Sequence, residues 1–164
     1  MTERLQPAVL CDLDGTLASC EWRRHHVAST RPEDRDWASF FAGIPADAPE
    51  PVVRALLEAI RPGIARVLVS ARPEPHRYPT ELWLMEHGIQ YDALYLRPAR
   101  DQRADSEVKR EILAQVRRRF EPVCVIDDRA SVVEMWRREG LSVVQVTDPG
   151  LPPIDTAVWS TWRP

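Results

Sequence analysis

The run Ala8–Thr16, AVLCDLDGT, decides how the rest of the chain is read. Its first four residues are apolar, and two aspartates and a glycine follow at once, the pattern of a short buried strand with acids at its carboxyl end. Comparable valine-, leucine- and isoleucine-rich runs recur at Ile64–Val69, Ala93–Leu96, Val123–Ile126 and Val143–Val146. Amphipathic stretches separate them. Val52–Ile60 carries Val53, Leu56, Leu57 and Ile60 on one stripe and stops at Pro62-Gly63. Thr80–His87 reads as a helix with Thr80 as N-cap and Gly88 just past its end. Ser106–Phe120 places Val108, Ile112, Leu113, Val116 and Phe120 on one face, and Ser131–Glu139 closes at Gly140. This alternation predicts an α/β fold: a Rossmann-like three-layer α/β/α sandwich around a parallel sheet of about five strands.

With 164 residues and 44% hydrophobic content, the expectation is a single domain over residues 1–164, with no room for a second catalytic domain. Two segments break the rhythm. Residues 17–50 form a long connection after the first strand, rich in Trp, Phe, Arg and His and ending in a proline series, and read as a small functional insertion or flap. Residues 148–164 read as a C-terminal tail. A net charge of −3 argues against a protein that coats nucleic acid. No apolar stretch approaches the roughly 18 residues of a membrane span, and the first residues lack a signal-type apolar region, so no membrane contact is expected. Cys11, Cys20 and Cys124 form an odd set without a CxxC pair, which points to reduced cytoplasmic thiols and no zinc site. The 22 basic residues include a single lysine, Lys109, beside 21 arginines, so that lysine is expected where a compact ammonium is required.

In open α/β sheets ligands bind outside the carboxyl ends of the strands. The first run ends in Asp12, Asp14 and Thr16, the second in Ser70 and Arg72, and the fourth in Asp127 and Asp128. Lys109 lies one turn into the helix before the fourth run and points to the same edge. Four clustered carboxylates repel one another unless a cation sits among them, and an all-oxygen set favours a hard ion, so a Mg²⁺ site is predicted. Cation, Lys109, Ser70 and the amides of residues 14–16 together suit a phosphoryl group.

These residues resemble the haloacid-dehalogenase (HAD) superfamily phosphatases, whose four motifs occur here in order as DLDGT, the serine of VLVSARP, the lysine of DSEVKREIL and the IDDR run. The closer resemblance is to the 3′-phosphatase domain of polynucleotide kinase-phosphatases, through YDALYLR, the Asp105-to-Lys109 spacing and IDDRASVVEMWRREGLSVVQV. Small stand-alone phage-type relatives are also similar, through Trp22-Arg23 and the DWASFF segment. The resemblance spans Val9 to Val146. It implies Asp12 as nucleophile forming an aspartyl-phosphate and Asp14 as general acid and then base. Thr16 and Ser70 would hold phosphate oxygens, and Lys109 would neutralise nucleophile and phosphoryl charge. Asp12, Asp127, Asp128 and the Asp14 carbonyl would hold Mg²⁺, while Arg23, Arg72 and Asp105 would support phosphate or substrate handling. The implied activity is a Mg²⁺-dependent phosphomonoesterase, acting on a phosphorylated nucleic-acid end or nucleotide, with 3′-phosphate removal in end healing as the leading reading. A nucleotidase or other small-molecule phosphatase is the alternative. Outside enzymes, a phosphoacceptor signalling domain uses similar residues, but it carries its adjacent acid pair at the first strand, whereas here the pair comes late. The kinase half of the bifunctional relatives is absent, because GxxxxGK[ST] needs a Gly-Lys and the one lysine follows Val108.

Other residues have plainer readings. Asp105 also fits a helix cap or a surface pair with Lys109 at i,i+4. Arg23 and Arg72 also fit solvated surface cations, and Arg97 a structural role. Trp22, Trp37, Phe40 and Phe41 read as the core of the insertion before base-stacking platforms, His25 and His26 as surface, and Trp136 as core.

Overall fold

The computed structural model describes residues 4–146; the tail at 148–164 lies outside them. In chain order the elements are β1 (Gln6–Cys11), β2 (Ala18–Ser19), α1 (Trp37–Ala42), β3 (Ala48–Pro49), α2 (Pro51–Glu58), β4 (Ala65–Pro73), α3 (Arg77–Glu86), β5 (Ala93–Arg97), α4 (Asp105–Val116), β6 (Phe120–Asp127), α5 (Ala130–Arg138) and β7 (Ser142–Gln145). Five strands form one parallel sheet, as the alternation of runs predicted, and their order is β5-β4-β1-β6-β7.

The side chains of β1 show why the sheet is covered on both faces. Ala8 and Leu10 enter one apolar cluster with Val108, Ile112 and Leu113 of α4 and Val132, Met135 and Trp136 of α5. Cys11 enters the other, with Val53 and Leu57 of α2, Trp83 and Leu84 of α3, and Trp37, Phe40 and Phe41 of the insertion. A strand buried on both faces has to be apolar throughout, because successive side chains alternate sides.

The chain runs from β1 outward through β4 to β5, then crosses back to β6 on the other side of β1. The strand order therefore reverses between β1 and β6, where a doubly wound sheet opens its ligand crevice. Asp12 follows β1, and Asp127 ends β6.

Several boundaries differ from the sequence reading. The second strand runs on to Pro73, so Ser70 and Arg72 lie within β4 rather than beyond it. Thr80 is not an N-cap: a 3₁₀ turn at Glu74–His76 leads straight into α3. Its hydroxyl bonds the His76 carbonyl at 2.7 Å, one helical turn back, and accepts from Arg72 Nη1 at 3.1 Å. Helix α4 ends at Val116, and Phe120 opens β6 opposite Gln6 of β1. No glycine or proline marks that end in the sequence.

The insertion is ordered around its aromatic residues. Asp36 caps α1, accepting from Ser39 N at 2.9 Å, and Trp37, Phe40 and Phe41 pack edge-on and stacked against each other. A two-strand antiparallel ribbon, β2 with β3, ties the two ends of the insertion together. Trp22 departs from the expectation: it is 50% exposed, with one ring edge against Gly43 and its indole N–H donating to Asp47.

Candidate active site

Two tight turns after β1 aim its acids. Thr16 N and Ala18 N both donate to the Leu13 carbonyl, at 3.1 and 2.8 Å. Gly15 has φ +83°, and a Cβ there would lie 2.5 Å from Asp128 Oδ2, so only glycine lets the β1 and β6 loops meet. Thr16 Oγ1 reaches Asp128 Oδ1 at 3.2 Å, and Asp12 N donates to the Ile126 carbonyl at 3.0 Å. Asp12, Asp127 and Asp128 are thereby brought together, each with one carboxylate oxygen within 4.8 Å of the others.

Lys109 joins this set from α4. The helix starts at the crevice and its side chains lean back toward its N-terminus, so a residue one turn in returns to the sheet edge. Its Nζ lies 2.8 Å from Asp12 Oδ1 and 2.8 Å from Asp127 Oδ2, and the residue is buried. Burial alone would lower its pKa, but Asp12 and Asp127 reverse this and hold it above the usual lysine range. A surface pair with Asp105 is therefore ruled out. Burial raises the Asp12 carboxyl to about 6, against the pull of Lys109. Asp128 goes up to about 7, through burial and then the charges of Asp12 and Asp127. Arg24 Nη2 lies 3.7 Å from Asp128 Oδ2, so three acids face two cations, and the remaining acidic excess favours proton uptake when nothing else is bound.

Asp14 is held differently. Its Oδ1 accepts from Arg23 Nη2 at 2.5 Å and Arg72 Nη2 at 2.7 Å, and its Oδ2 from Arg72 Nε at 2.9 Å. Burial favours the neutral acid, but the two guanidiniums outweigh it and keep the carboxyl far below the usual range. Neither arginine is a surface cation; both are buried. Asp47, which carried no sequence signal, completes the group: it receives Arg23 Nε at 2.8 Å, Arg23 Nη2 at 2.6 Å and Trp22 Nε1 at 3.1 Å. Its position between the prolines of the insertion reads as a loop residue, and only folding carries it to Arg23 and Arg72.

Asp105 is buried at the start of α4 and serves neither as an N-cap nor as a partner of Lys109. It pairs with Arg97 Nη2 at 2.5 Å and with Arg129 Nη1. Arg97 has the structural role expected of it, also bonding the carbonyls of Ala71 at 3.0 Å and Arg103 at 2.8 Å. Arg24 and Arg129, absent from the predicted site, line the central cavity with Asp12, Asp14, Ser70, Arg72 and Lys109. Arg23 does not line it. The cavity measures about 30 Å³, with Trp37, Phe40 and Phe41 as its apolar wall. Cys11, Cys20 and Cys124 are free, and His25 is exposed.

A parallel sheet with an aspartate after its central strand, a serine on the next strand, a lysine and a late acid pair is the arrangement of a HAD-type phosphatase, a phosphoric monoester hydrolase. More narrowly, the chain belongs to the family described as the polynucleotide kinase PNKP phosphatase domain, whose profile matches residues 6–150. Among solved structures, a chain of the Pnkp1/Rnl/Hen1 RNA repair complex is 34% identical, with a TM-score of 0.73 over 90% of this chain. A second structure of that complex gives 34% identity and a TM-score of 0.72. This chain spans 44% and 48% of the length of those two relatives. The fold alone is shared with a haloacid dehalogenase-like hydrolase from Streptococcus pneumoniae, at 14% identity and TM-score 0.61 over 85% of this chain and 84% of that one. It is likewise shared with a β-phosphoglucomutase-type protein from Thermotoga maritima, at 16% identity and TM-score 0.62 over 94% and 91%. No curated protein sequence matches the chain. Among the described residues no helix is long and apolar enough to cross a membrane.

Proposed function

We propose that this chain is a single phosphatase domain that removes 3′-phosphates from polynucleotide ends in a Mg²⁺-dependent reaction through an aspartyl-phosphate. The observation that carries the reading is Lys109 bridging Asp12 and Asp127 at 2.8 Å each, inside a cluster of three carboxylates. The donor set fits a hard divalent cation: all-oxygen, partly buried and acidic beyond what Lys109 and Arg24 offset. Asp12, Asp127 and Asp128, with the Asp14 carbonyl, would hold Mg²⁺, which when bound supplies Lewis-acid stabilisation of phosphoryl charge.

In this reading Asp12 attacks phosphorus and the ester oxygen leaves; water then attacks the acyl phosphate and restores Asp12. Lys109 keeps Asp12 ionised and sits where charge grows on the transferring group. Ser70 lines the same space, whereas Thr16 is fully buried and holds Asp128 by its hydroxyl. Asp14, held ionised by two guanidiniums, is ready as the base for water. Its acid step needs one of them to let go. Arg72 lines the cavity, so an incoming phosphate dianion competes with Asp14 for that guanidinium and raises the Asp14 pKa as the substrate binds.

Similarity to a chain of an RNA repair complex supports nucleic acid as the substrate class, and three free cysteines agree with a reducing, cytoplasmic setting. The test is phosphate release from 3′- and 5′-phosphorylated oligonucleotides and from nucleoside monophosphates, with and without Mg²⁺. Selective Mg²⁺-dependent release from the 3′-phosphorylated oligonucleotide is expected. Preference for the monophosphates would make the chain a nucleotidase, and a stable phosphoprotein without turnover would make it a phosphoacceptor.

A further inference from the structure

We infer that Trp136 is a positioning residue that selects which oxygen of Asp127 is presented to the divalent cation; the inference rests on the Mg²⁺ reading above. Trp136 is a fully buried residue of α5 and packs in the apolar cluster shared with α4 and β1. Its shape accounts for that packing, but its indole N–H does not belong in an apolar layer and is costly to bury without an acceptor. The acceptor is Asp127 Oδ2, at 3.0 Å.

Helix α5 begins at Ala130, directly after the Asp127–Arg129 loop, and side chains on a helix lean toward its N-terminus. A long, rigid side chain two turns in thus reaches back to the loop that launched the helix, nine residues earlier. Asp127 Oδ2 also accepts from Lys109 Nζ at 2.8 Å. Two donors, one from each helix on this face of the sheet, therefore converge on the same oxygen. The other oxygen, Oδ1, accepts among the described residues only from the Arg129 backbone N–H, at 3.2 Å. Oδ1 retains the acceptor capacity to approach a cation, and the carboxylate cannot turn over without breaking both bonds to Oδ2.

Lysine alone would leave this choice open, because Nζ lies between Asp12 and Asp127 and its flexible stem follows either carboxylate. Indole is the better lock. It donates and never accepts, so it cannot exchange roles at Oδ2, and its ring is fixed by the surrounding core.

The test compares Mg²⁺ binding by calorimetry in the wild-type protein and in Trp136→Phe, which keeps an aromatic ring in the core and loses the N–H. Loss of a hydrogen bond behind a metal ligand typically costs about 10–100-fold in affinity, so Mg²⁺ Kd should rise at least about tenfold. The far-ultraviolet circular dichroism should stay unchanged. Equal Kd in a folded variant overturns the inference. Should Trp136→Phe not fold, the wild-type protein decides: its Trp136 indole ¹⁵N–H resonance should shift on Mg²⁺ titration, and an unmoved resonance in a protein that binds Mg²⁺ overturns the inference equally. Failure of the wild-type protein to bind Mg²⁺ would instead refute the metal reading on which the inference depends.

Discussion

The crevice holds two buried charge clusters built from opposite proportions. Around Asp14, two carboxylates, Asp14 and Asp47, face two guanidiniums, Arg23 and Arg72, in a set that balances itself. Around Asp12, three carboxylates share the Lys109 ammonium and, at Asp128, the Arg24 guanidinium at 3.7 Å, which leaves one negative charge in excess. The consequence appears in the acids themselves: Asp14 is driven far below its usual range, whereas Asp12 and Asp128 are pushed up to about 6 and about 7. A balanced cluster is finished on folding and holds a residue in place. An unbalanced one has an unmet demand for positive charge, which is the condition for binding a cation and then a phosphate.

The lysine that serves the unbalanced cluster offers the largest test. Lys109→Arg keeps the charge but replaces a point donor shared by two carboxylates with a planar fork too large for the space. Phosphate release should fall by about 100-fold or more, on the order of 3 kcal/mol of transition-state stabilisation; near-normal activity would mean that only charge matters there.

Stability separates the clusters by sign. Asp47→Asn leaves a buried guanidinium short of its counter-charge and should destabilise the protein by about 3 kcal/mol, a fall in Tm on the order of 10 °C. Asp128→Asn relieves repulsion and should leave the metal-free protein as stable as wild type or more so, with Mg²⁺ binding weakened. Thermal melts of the two variants without Mg²⁺ check this, and a shift of the same sign in both would dissolve the distinction.

The smallest effect is on pH. Asp12 and Asp128 have folded-state pKa values above 3.8, so between about 4 and about 7 the native state binds more protons than the unfolded chain. Their contribution to stability is therefore greatest at low pH and is lost as pH rises through the folded values. His76, lowered by burial and by Arg72, tilts in the other direction, so the informative quantity is the difference between melts with and without Mg²⁺. Mg²⁺ stabilisation should grow by on the order of a few degrees from pH 5 to pH 8. A difference independent of pH would show that these acids are not the ones that meet the cation.

Which features were legible follows from how local their causes are. The strands and the acids at their ends were readable because a buried strand must be apolar and the next residues must turn. The helix ends were read less well: Thr80 is occupied by His76 and Arg72, and α4 stops at Val116 without a breaker. The aromatic flap core was readable for Trp37, Phe40 and Phe41 but not for Trp22, which is half exposed while its N–H serves Asp47.

By itself the sequence determined an α/β sheet with Asp12, Asp14, Asp127, Asp128 and Lys109 on one edge, because strand ends and a helix's first turn place those residues whatever the remainder of the chain does. Only the tertiary structure decided what each of them touches. Arg23 meets Asp47 across 24 residues and Arg72 meets Asp14 across 58. The same holds for Trp136, which reads as core in the sequence and proves to be hydrogen-bonded to Asp127. Whether a charged side chain is a surface cation or a buried partner depends on what covers it, and spacing along the chain carries no information about cover.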